Sequence, residues 1–182
     1  MIYIVNKENR DLFRGELAQM HQHRRVVFVD RLGWRLPVTE YGETDAYDRD
    51  DTLYMLLKAP AGGPVLASAR LLPTEQPHLM SDLFADACAG PCPRGPTIWE
   101  ASRFCPAPGL GPRARLHSLW EVLCGILETS LLFGIEQIVF TANTALLPLM
   151  VSCGWDAHVL GPTLADGSDQ ITALRVQVDS HG

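Results

Sequence analysis

The sequence lacks an excess of positive charge. Its 182 residues include 15 lysines and arginines against 21 aspartates and glutamates, for a formal net charge of −6. A general nucleic-acid-binding protein needs basic side chains to neutralise phosphates, so binding of nucleic acid is not expected.

Long hydrophobic runs are also missing. No uninterrupted apolar stretch reaches the roughly 18 residues that a membrane-spanning helix needs. The first apolar residues meet charges at Lys7 and Glu8, which is too early for a signal peptide. We therefore predict a cytoplasmic protein that does not insert into a membrane.

Cysteines are few and odd in number, and no two of them form a Cys-x-x-Cys pair. The five lie at positions 88, 92, 105, 124 and 153. Reduced thiols are the simplest interpretation. Cys88 and Cys92 with His78 supply three potential metal ligands, but a fourth ligand and a second close pair are missing. We expect no metal site.

The composition that remains is that of a globular protein. Hydrophobic residues make up 47% and charged residues 20% of the chain, enough for a sizeable core. Hairpin patterns dominate the first half, whereas strands and helices alternate in the second. The prediction is a single α/β domain over residues 1–182, built on a mixed sheet.

The predicted elements follow from periodicity and turn residues. The predicted strands are 2–5, 53–58, 64–72, 97–105, 135–142, 155–160 and 170–178. The predicted helices are 7–22, a second amphipathic segment at 23–34, 78–85, 112–133 and 144–153. Segments 37–51 and 161–169 are predicted as loops. Inward-facing helix positions are predicted at Leu12, Phe13, Leu17, Met20, Leu79, Leu83, Phe84, Leu116, Leu119, Trp120, Leu123, Ile126, Leu127 and Leu131.

One predicted strand carries two charges. The segment 97–106 lies between two turn-rich stretches, and Glu100 and Arg103 stand three residues apart within it. Burial of an unpaired charge is costly, so these side chains must be paired, hydrated or used in chemistry. Strict alternation places them on opposite faces, so a meeting on one face requires a bulge. An internal ion pair that braces the sheet is the alternative to a catalytic role.

Other charges interrupt apolar segments in the same way. Arg24 shares a helical face with Phe28, and Arg70 falls inside a predicted buried strand. The loop at 37–51 is crowded with acidic residues, among them Asp45 and Asp48. A solvated acidic surface and a carboxylate cluster for a cationic ligand are both compatible with that loop.

These residues occur together in a recognisable order. The chain reads Arg24-x3-Phe28-x5-Trp34, then Asp45-x2-Asp48, Ala69-Arg70-Leu71-Leu72, Phe84, and Glu100-x-Ser102-Arg103-Phe104. In this order and spacing it resembles the acyl-homoserine-lactone synthases, the autoinducer synthases of bacterial quorum sensing. The resemblance implies a fold like that of the GCN5-related N-acyltransferases. Two neighbouring strands, here 97–105 and 136–142, would then splay apart and hold a thioester in the gap.

The resemblance also implies a reaction between two substrates, with no cofactor. The amine of S-adenosylmethionine attacks an acyl thioester, and the methionyl carboxylate then closes a lactone with release of methylthioadenosine. Glu100 is the implied proton acceptor. The implied S-adenosylmethionine site and its electrostatic cluster consist of Arg24, Phe28, Trp34, Asp45, Asp48, Arg70 and Arg103. Carboxylates and aromatic faces suit a sulfonium, and arginine forks suit carboxylates.

The acyl site and the donor follow from departures within the resemblance. Many family members have a hydroxyl residue on the second splayed strand, at a position that aligns with Phe140 or, after a shift of one residue, with Thr141. A phenylalanine there disfavours 3-oxo chains. The predicted acyl-binding residues are Phe140, Ser102, Phe104, Leu119, Leu123 and Met150. The expected partner is acyl-CoA or acyl carrier protein, and the absence of the family's arginine-rich pattern on the helix at 144–153 favours acyl-CoA.

Two other functions remain open at this point. An N-acyltransferase acting on another amine would share the fold and the thioester donor, but it would not need the set formed by Arg24, Phe28, Trp34, Asp45 and Asp48. A non-catalytic module that binds S-adenosylmethionine or an acyl ligand would keep the pocket without requiring Glu100.

Overall fold

The computed structural model describes residues 1–143, 147, 155–167 and 169–179. Its strands are β1 (Ile2–Val5), β2 (Val38–Thr39), β3 (Gly42–Glu43), β4 (Leu53–Lys58), β5 (Val65–Pro73), β6 (Ile98–Pro106), β7 (Gln137–Asn143), β8 (Ala157–Val159), β9 (Leu164–Asp166) and β10 (Asp169–Gln177). The α-helices are α1 (Arg14–Arg24), α2 (Leu79–Leu83) and α3 (Pro112–Phe133). Two 3-10 turns, Arg10–Phe13 and Ala85–Ala87, and a π-helical segment, Arg25–Arg31, complete the helical elements.

The chain forms two compact units. The first contains Met1–Leu71 and Arg103–Ile126. Within it β4 pairs antiparallel with both β1 and β5, with Ile2 opposite Leu57 and Leu53 opposite Leu71. All six residues of β4 are buried, so both faces of this strand are covered. The two strands 53–58 and 64–72 predicted as a hairpin are confirmed.

The second unit contains Leu72–Ser102 and Leu127–Gly182. In it β6 pairs parallel with β7, and β10 pairs antiparallel with β7, β8 and β9. A buried cluster of Met80, Ala87, Val139 and Ala173 forms the core beside this part of the sheet. Parallel and antiparallel pairs therefore occur together, and the predicted mixed-sheet α/β fold is confirmed. The assignment of residues 1–182 to one autoinducer-synthase domain stays a prediction.

The central strand β6 is irregular, as its charges suggested. Its parallel register with β7 runs from Ile98 opposite Gln137 to Glu100 opposite Val139, and it ends there although both strands are described along their full length. Three residues further along, Arg103 has a positive φ of 55°. Regular pairing along both strands would have contradicted the predicted splay, and the short register agrees with it.

The N-terminal helices differ from the predicted pair. The chain makes a 3-10 turn before α1, and α1 continues into the π-helical segment rather than ending near Gln22. Gly33, with φ of 70°, follows the end of this segment. A wider π-type turn is a recurrent feature of functional sites, where it redirects side chains.

Several inward-facing predictions were wrong. Leu12, Leu83, Leu116 and Leu131 are all exposed, and Leu12 has 82% of its surface accessible. Helical periodicity identifies a face but does not show how far the neighbouring layer extends along it. The predicted loops also contain short pairings, β2 with β3 and β9 with β10. The predicted helix at 144–153 lies outside the described residues, apart from the helical residue Leu147.

Helix α3 has the bounds that the sequence predicted, from Pro112 to Phe133, and Gly134 follows it with φ of 68°. Within the described part of the chain it is the one helix that is long and apolar enough to cross a bilayer by length and composition. Core helices of soluble proteins satisfy the same criterion, so this feature is weak evidence for a membrane span.

Candidate active site

Three arginines and three carboxylates form a buried ion network in the first unit. We call it the arginine–carboxylate network, and its members are Arg24, Arg70, Arg103, Glu43, Asp45 and Asp48. Every one of these side chains is at least nine-tenths buried. The charges cancel, three positive against three negative, so the network as a whole is neutral. An ion cluster survives burial only when each charge is paired and hydrogen-bonded, and here each charge is.

Among the contacts described for the network, Asp48 accepts the largest number of hydrogen bonds. Arg24 donates to its two oxygens through both terminal nitrogens, at 2.8 and 2.9 Å. Arg70 and the Tyr54 hydroxyl donate to Oδ1 at 3.0 and 2.9 Å, and the Asp45 backbone N–H donates to Oδ2 at 2.8 Å. Burial by itself would raise the pKa of Asp48, but the contacts with Arg24 and Arg70 outweigh it and hold the pKa well below its usual range.

Asp45 and Glu43 link the other two arginines. Arg70 donates two hydrogen bonds to Asp45, at 2.6 and 3.0 Å, and Arg103 donates to the same carboxylate at 2.7 Å. Arg103 also donates to Glu43 at 3.1 Å, while Nε of Arg24 donates to Glu43 at 2.5 Å. The fork geometry of guanidinium lets one arginine join two carboxylates.

The backbone brings these residues together from separate elements. Arg24 is the last residue of α1, Glu43 ends the β2–β3 hairpin, and Arg70 lies in β5. Gly42 makes the approach of the hairpin to α1 possible. A Cβ on Gly42 would lie 2.4 Å from the carbonyl carbon and oxygen of His21, and its φ is 120°. The hairpin thus rests directly on the helix backbone, which places Glu43 beside Arg24.

Two aromatic rings border the network. Phe28, in the π-helical segment, and Trp34 are stacked with ring centroids 4.9 Å apart and an interplanar angle of 8°. The Arg103 guanidinium lies 5.7 Å from the centroid of Phe28. Seven of the predicted site residues, Arg24, Phe28, Trp34, Asp45, Asp48, Arg70 and Arg103, are therefore brought together in one unit.

Burial and charge fix the protonation of Arg24 and of two neighbours of the network, Tyr54 and His21. Burial would lower the pKa of Arg24, but Asp48 and Glu43 raise it above its usual value. Burial and then the Asp48 carboxylate raise the pKa of the Tyr54 phenol well above its usual range. Burial, with the Arg24 charge, lowers the pKa of His21. Around neutral pH Arg24 stays charged while the Tyr54 phenol and the His21 imidazole stay neutral.

Glu100 belongs to the second unit and has a different environment. Its side chain is buried, and its two oxygens accept hydrogen bonds from the backbone N–H groups of Leu79 and Met80, at 2.8 and 2.6 Å. These are the first two residues of α2, so Glu100 caps that helix. These two amides fix the direction of the carboxylate.

The predicted acyl-binding residues are spread along the chain. Phe140 is buried in β7, with its ring edge-on to Trp155 at 6.2 Å. Leu123 is buried and Leu119 is half-buried on α3, and Ser102 and Phe104 are half-buried on β6. Met150 lies outside the described residues. An acyl site formed by this set stays a prediction.

Glu43 belongs to the network, although the sequence patterns do not single it out. It lies in the acidic segment 37–51, yet its side chain is fully buried and it contacts two arginines. The available signal was Gly42 directly before it, because a glycine permits the close approach that buries the next residue. The Tyr54 hydroxyl donates a hydrogen bond to Asp48. In the sequence Tyr54 is one more apolar residue of a predicted strand, so no pattern singles it out.

No metal site appears in the described ranges 1–143, 147, 155–167 and 169–179, where no group of three or more histidine, cysteine or acidic residues has a suitable arrangement. In that part of the chain Cys88 and Cys92 have their sulfur atoms 3.6 Å apart.

The chain is similar to known proteins in sequence and in structure. A family model described as autoinducer synthase matches residues 8–182. An acyl-homoserine-lactone synthase from Ralstonia solanacearum is 32% identical over 169 residues, which cover 90% of this chain and 82% of that protein. A synthase of the same name from Pseudomonas aeruginosa is 30% identical over 183 residues, with 97% and 90% covered.

Solved structures that are similar to this chain also include acyl-homoserine lactone synthases. MesI, described as a CoA-dependent acyl-homoserine lactone synthase, superimposes with a TM-score of 0.86 at 33% identity and covers 99% of this chain and 90% of its own. BjaI, of the same description, was solved with MTA and has a TM-score of 0.90 at 30% identity, with 100% and 84% covered. Escherichia coli ElaA, at 15% identity, with 96% and 97% covered and a TM-score of 0.64, shares the fold alone.

Proposed function

This chain belongs to the autoinducer synthase family of acyltransferases, and we propose that it makes an acyl-homoserine lactone from S-adenosylmethionine and acyl-CoA. The observation that carries the proposal is the closed arginine–carboxylate network with the Phe28–Trp34 stack on its border. An acyltransferase that used a simple amine would have no need for three buried arginines balanced by three carboxylates. A pocket that must orient S-adenosylmethionine, which carries a sulfonium, an ammonium and a carboxylate, does need such a balanced set of charges.

The network acts chiefly by holding the pocket in shape. Arginine and amide donors occupy both oxygens of Asp45 and of Asp48. The carboxylates therefore order the surrounding loop, while the aromatic faces of Phe28 and Trp34 are suited to contact the sulfonium. A relative supports the choice of substrates, because BjaI was also solved with SAM and isopentyl-CoA.

The acyl transfer step uses Glu100 as the proton acceptor. The substrate amine attacks the thioester carbonyl, the C–S bond of the thioester breaks, and the CoA thiolate leaves. Glu100 takes the ammonium proton directly or through one water and returns it towards the thiolate. An α-amino group has a pKa of about 7.7–8.0, so its deprotonation near neutral pH needs no unusually strong base.

The thioester lies where β6 and β7 stop pairing. The parallel ladder ends at Glu100 and Val139. A hydrogen-bond donor placed here would stabilise the carbonyl oxygen as it gains negative charge in the transition state. The α3 N-terminus, preceded by Gly109 and Gly111, would bind the pyrophosphate of CoA.

Lactone formation then requires only positioning. The methionyl carboxylate attacks its own γ-carbon, the bond from that carbon to the sulfonium breaks, and methylthioadenosine leaves as a neutral thioether. The reaction is intramolecular and its leaving group is already activated by its positive charge. The protein must hold the chain in the bent conformation that brings the reacting atoms together.

Two features favour acyl-CoA over acyl carrier protein as the donor. MesI and BjaI, both described as CoA-dependent, are among the similar structures. The segment Leu146–Cys153 contains no lysine or arginine, whereas an acidic carrier protein would be expected to dock on a basic surface.

A donor panel tests the proposal. Purified protein would be incubated with S-adenosylmethionine and matched acyl chains on CoA or on acyl carrier protein, with mass spectrometry for the homoserine-lactone fragment ion and for methylthioadenosine. We expect both products with acyl-CoA. Acylation of another amine without methylthioadenosine would favour the N-acyltransferase alternative, and ligand binding without any free CoA would favour the non-catalytic module.

A further inference from the structure

Cys88 and Cys92 form a thiol pair that the proposed reaction does not use. Their sulfur atoms are 3.6 Å apart, which is van der Waals contact, and both residues are half-buried. A disulfide needs a separation of about 2.05 Å, so the two sulfur atoms must approach by about 1.5 Å. The connecting residues 89–91 are all exposed. The Ala89 N–H donates to the Leu160 carbonyl at 2.9 Å, whereas a side chain at Gly90 would meet open space, so the approach of the sulfur atoms would be taken up on the Gly90 side of the loop.

This pair is connected to Glu100 through a single residue. Cys92 directs its Sγ to the carbonyl oxygen of Met80 at 3.8 Å, and the N–H of Met80 donates to Oε1 of Glu100 at 2.6 Å. Cys88 and Cys92 also pack on the buried cluster that contains Met80. All four residues lie within the second unit. A displacement of Cys92 therefore acts on the residue that anchors the proposed catalytic carboxylate.

We propose that Cys88 and Cys92 are a redox-sensitive dithiol whose disulfide displaces Met80 and weakens the anchoring of Glu100. The oxidant is a low-molecular-weight disulfide such as glutathione disulfide. The thiolate of Cys92 attacks one sulfur of the oxidant, which breaks its S–S bond and releases one thiolate. The thiolate of Cys88 then attacks the Cys92 sulfur and releases the second thiolate. The two thiol protons pass to the two released thiolates, so atoms and electrons balance.

The surroundings of Cys88 place it second in the order of attack. Burial, together with the neighbouring Cys92, raises the pKa of Cys88 to about 11. Cys88 therefore has a small thiolate fraction and is suited to the second step, where the mixed disulfide is held beside it. Intramolecular attack compensates for a low thiolate fraction by high effective concentration.

Thiol mapping tests the disulfide without reference to activity. Cys88 and Cys92 fall in one tryptic peptide, residues 71–94, that contains no other cysteine. After equilibration with glutathione disulfide, acid quenching and alkylation, we expect this peptide to be lighter by two hydrogen atoms and to carry no alkyl group. Two alkyl groups, or a stable glutathione adduct on either cysteine alone, would overturn the proposal.

The consequence for activity rests on the proposed function. We expect oxidised protein to release methylthioadenosine about tenfold more slowly, the size expected when one charge-assisted hydrogen bond is lost, and dithiothreitol to restore the rate. The Cys88→Ser/Cys92→Ser double variant should be insensitive to glutathione disulfide. The Cys124→Ser variant, changed at an exposed cysteine of α3, should respond like the wild type.

The two possible failures are distinguishable. A mapped disulfide with an unchanged rate would overturn the coupling to Glu100. Absence of methylthioadenosine from reduced wild-type protein would instead refute the proposed function, and the thiol map would then still decide whether the disulfide forms.

Discussion

At the scale of single residues, Arg103 shows how the network shapes the strand that carries it. Its φ of 55° is unfavourable for a residue with a Cβ, by about 1–3 kcal/mol. Its guanidinium contacts both Glu43 and Asp45, at 3.1 and 2.7 Å, and these charge-assisted hydrogen bonds offset the strain. The irregularity of β6 is therefore maintained by side chains from the acidic segment.

Glu100 is the residue whose replacement separates chemistry from structure. The Glu100→Gln variant loses the proton acceptor, and turnover should fall by about 10²–10⁴ in a methylthioadenosine-release assay. Gln also offers one oxygen to two amides, so α2 should lose about 1.5–3 kcal/mol of stabilisation, visible in a melting curve. Glu128→Gln, at an exposed site on α3, is the matched control. A folded Glu100→Gln protein with near-normal turnover at pH 7 would remove Glu100 from the mechanism.

Asp45 tests the role of the network in substrate binding. The Asp45→Asn change leaves Arg70 and Arg103 without their shared carboxylate, so we expect a loss of about 3–5 kcal/mol in unfolding free energy. The KM for S-adenosylmethionine should rise while the KM for the acyl donor stays nearly constant. Asp50→Asn, in an exposed pair with Arg10 in the same segment, should cost less than about 1 kcal/mol. Equal damage to both KM values would indicate a general folding role.

We expect Phe140 to contribute both to the core and to the acyl pocket. Its buried ring against Trp155 is a core contact, so Phe140→Ala should lower the unfolding free energy by about 3–5 kcal/mol. If Phe140 also lines the acyl pocket, the variant should accept a different range of chain lengths and 3-oxo chains in a competition assay with mixed acyl-CoA donors. A destabilised variant with an unchanged product distribution would limit Phe140 to the core.

At the scale of elements, the β2–β3 hairpin and α1 form one assembly. The hairpin delivers Glu43 to the network, and Gly42 is the contact point on the helix backbone. This pairing explains how a two-residue strand in an acidic segment becomes buried. The stability of the network therefore depends on a backbone contact that carries no charge.

The Gly42→Ala variant tests that dependence. Its Cβ would clash with the backbone at His21 and would occupy a φ of 120°, so we expect a loss of about 2–5 kcal/mol in urea unfolding. Binding of S-adenosylmethionine should weaken as Glu43 moves. Gly15→Ala, within α1 and facing open space, should instead stabilise by about 0.5–1 kcal/mol. A Gly42→Ala protein as stable as the wild type would show that the hairpin does not rest on the helix in solution.

At the scale of the whole molecule, the network makes stability depend on pH in the acidic range. The pKa of Asp48 is lowered in the folded state, so the unfolded chain binds a proton more readily. Its contribution is fully present above the unfolded value of about 3.9 and is lost as pH falls below it. We expect a slope of up to about 1.4 kcal/mol per pH unit from this group below pH 4 in urea titrations. Asp48→Asn should remove that part of the slope, and an unchanged slope would contradict the assignment.

The sequence by itself determined much of the architecture. Pro112 and Gly134 bounded α3, and apolar runs between turn residues located β4, β5, β7 and β10. These features are local, since they depend on backbone preferences and on periodicity within one segment. The seven residues that lie together in and beside the arginine–carboxylate network were also singled out from the sequence, through a spacing typical of one family, and their role in binding S-adenosylmethionine stays a prediction. Local patterns failed where an element's outer limit depended on its neighbours, as for Leu12 and Leu116.

Only the tertiary structure decided how the charges are paired. Glu100 and Arg103 stand three residues apart, yet the contacts described for them lead to different partners, the α2 amides for Glu100 and Glu43 with Asp45 for Arg103. Glu43 meets Arg103 across 60 positions of sequence, a separation that no local pattern encodes. Buried charges take whichever opposite charges the fold brings within reach, because an unpaired charge in the interior costs several kcal/mol. The sequence supplied the charged residues, and the packing of α1, the hairpin, β5 and β6 determined their partners.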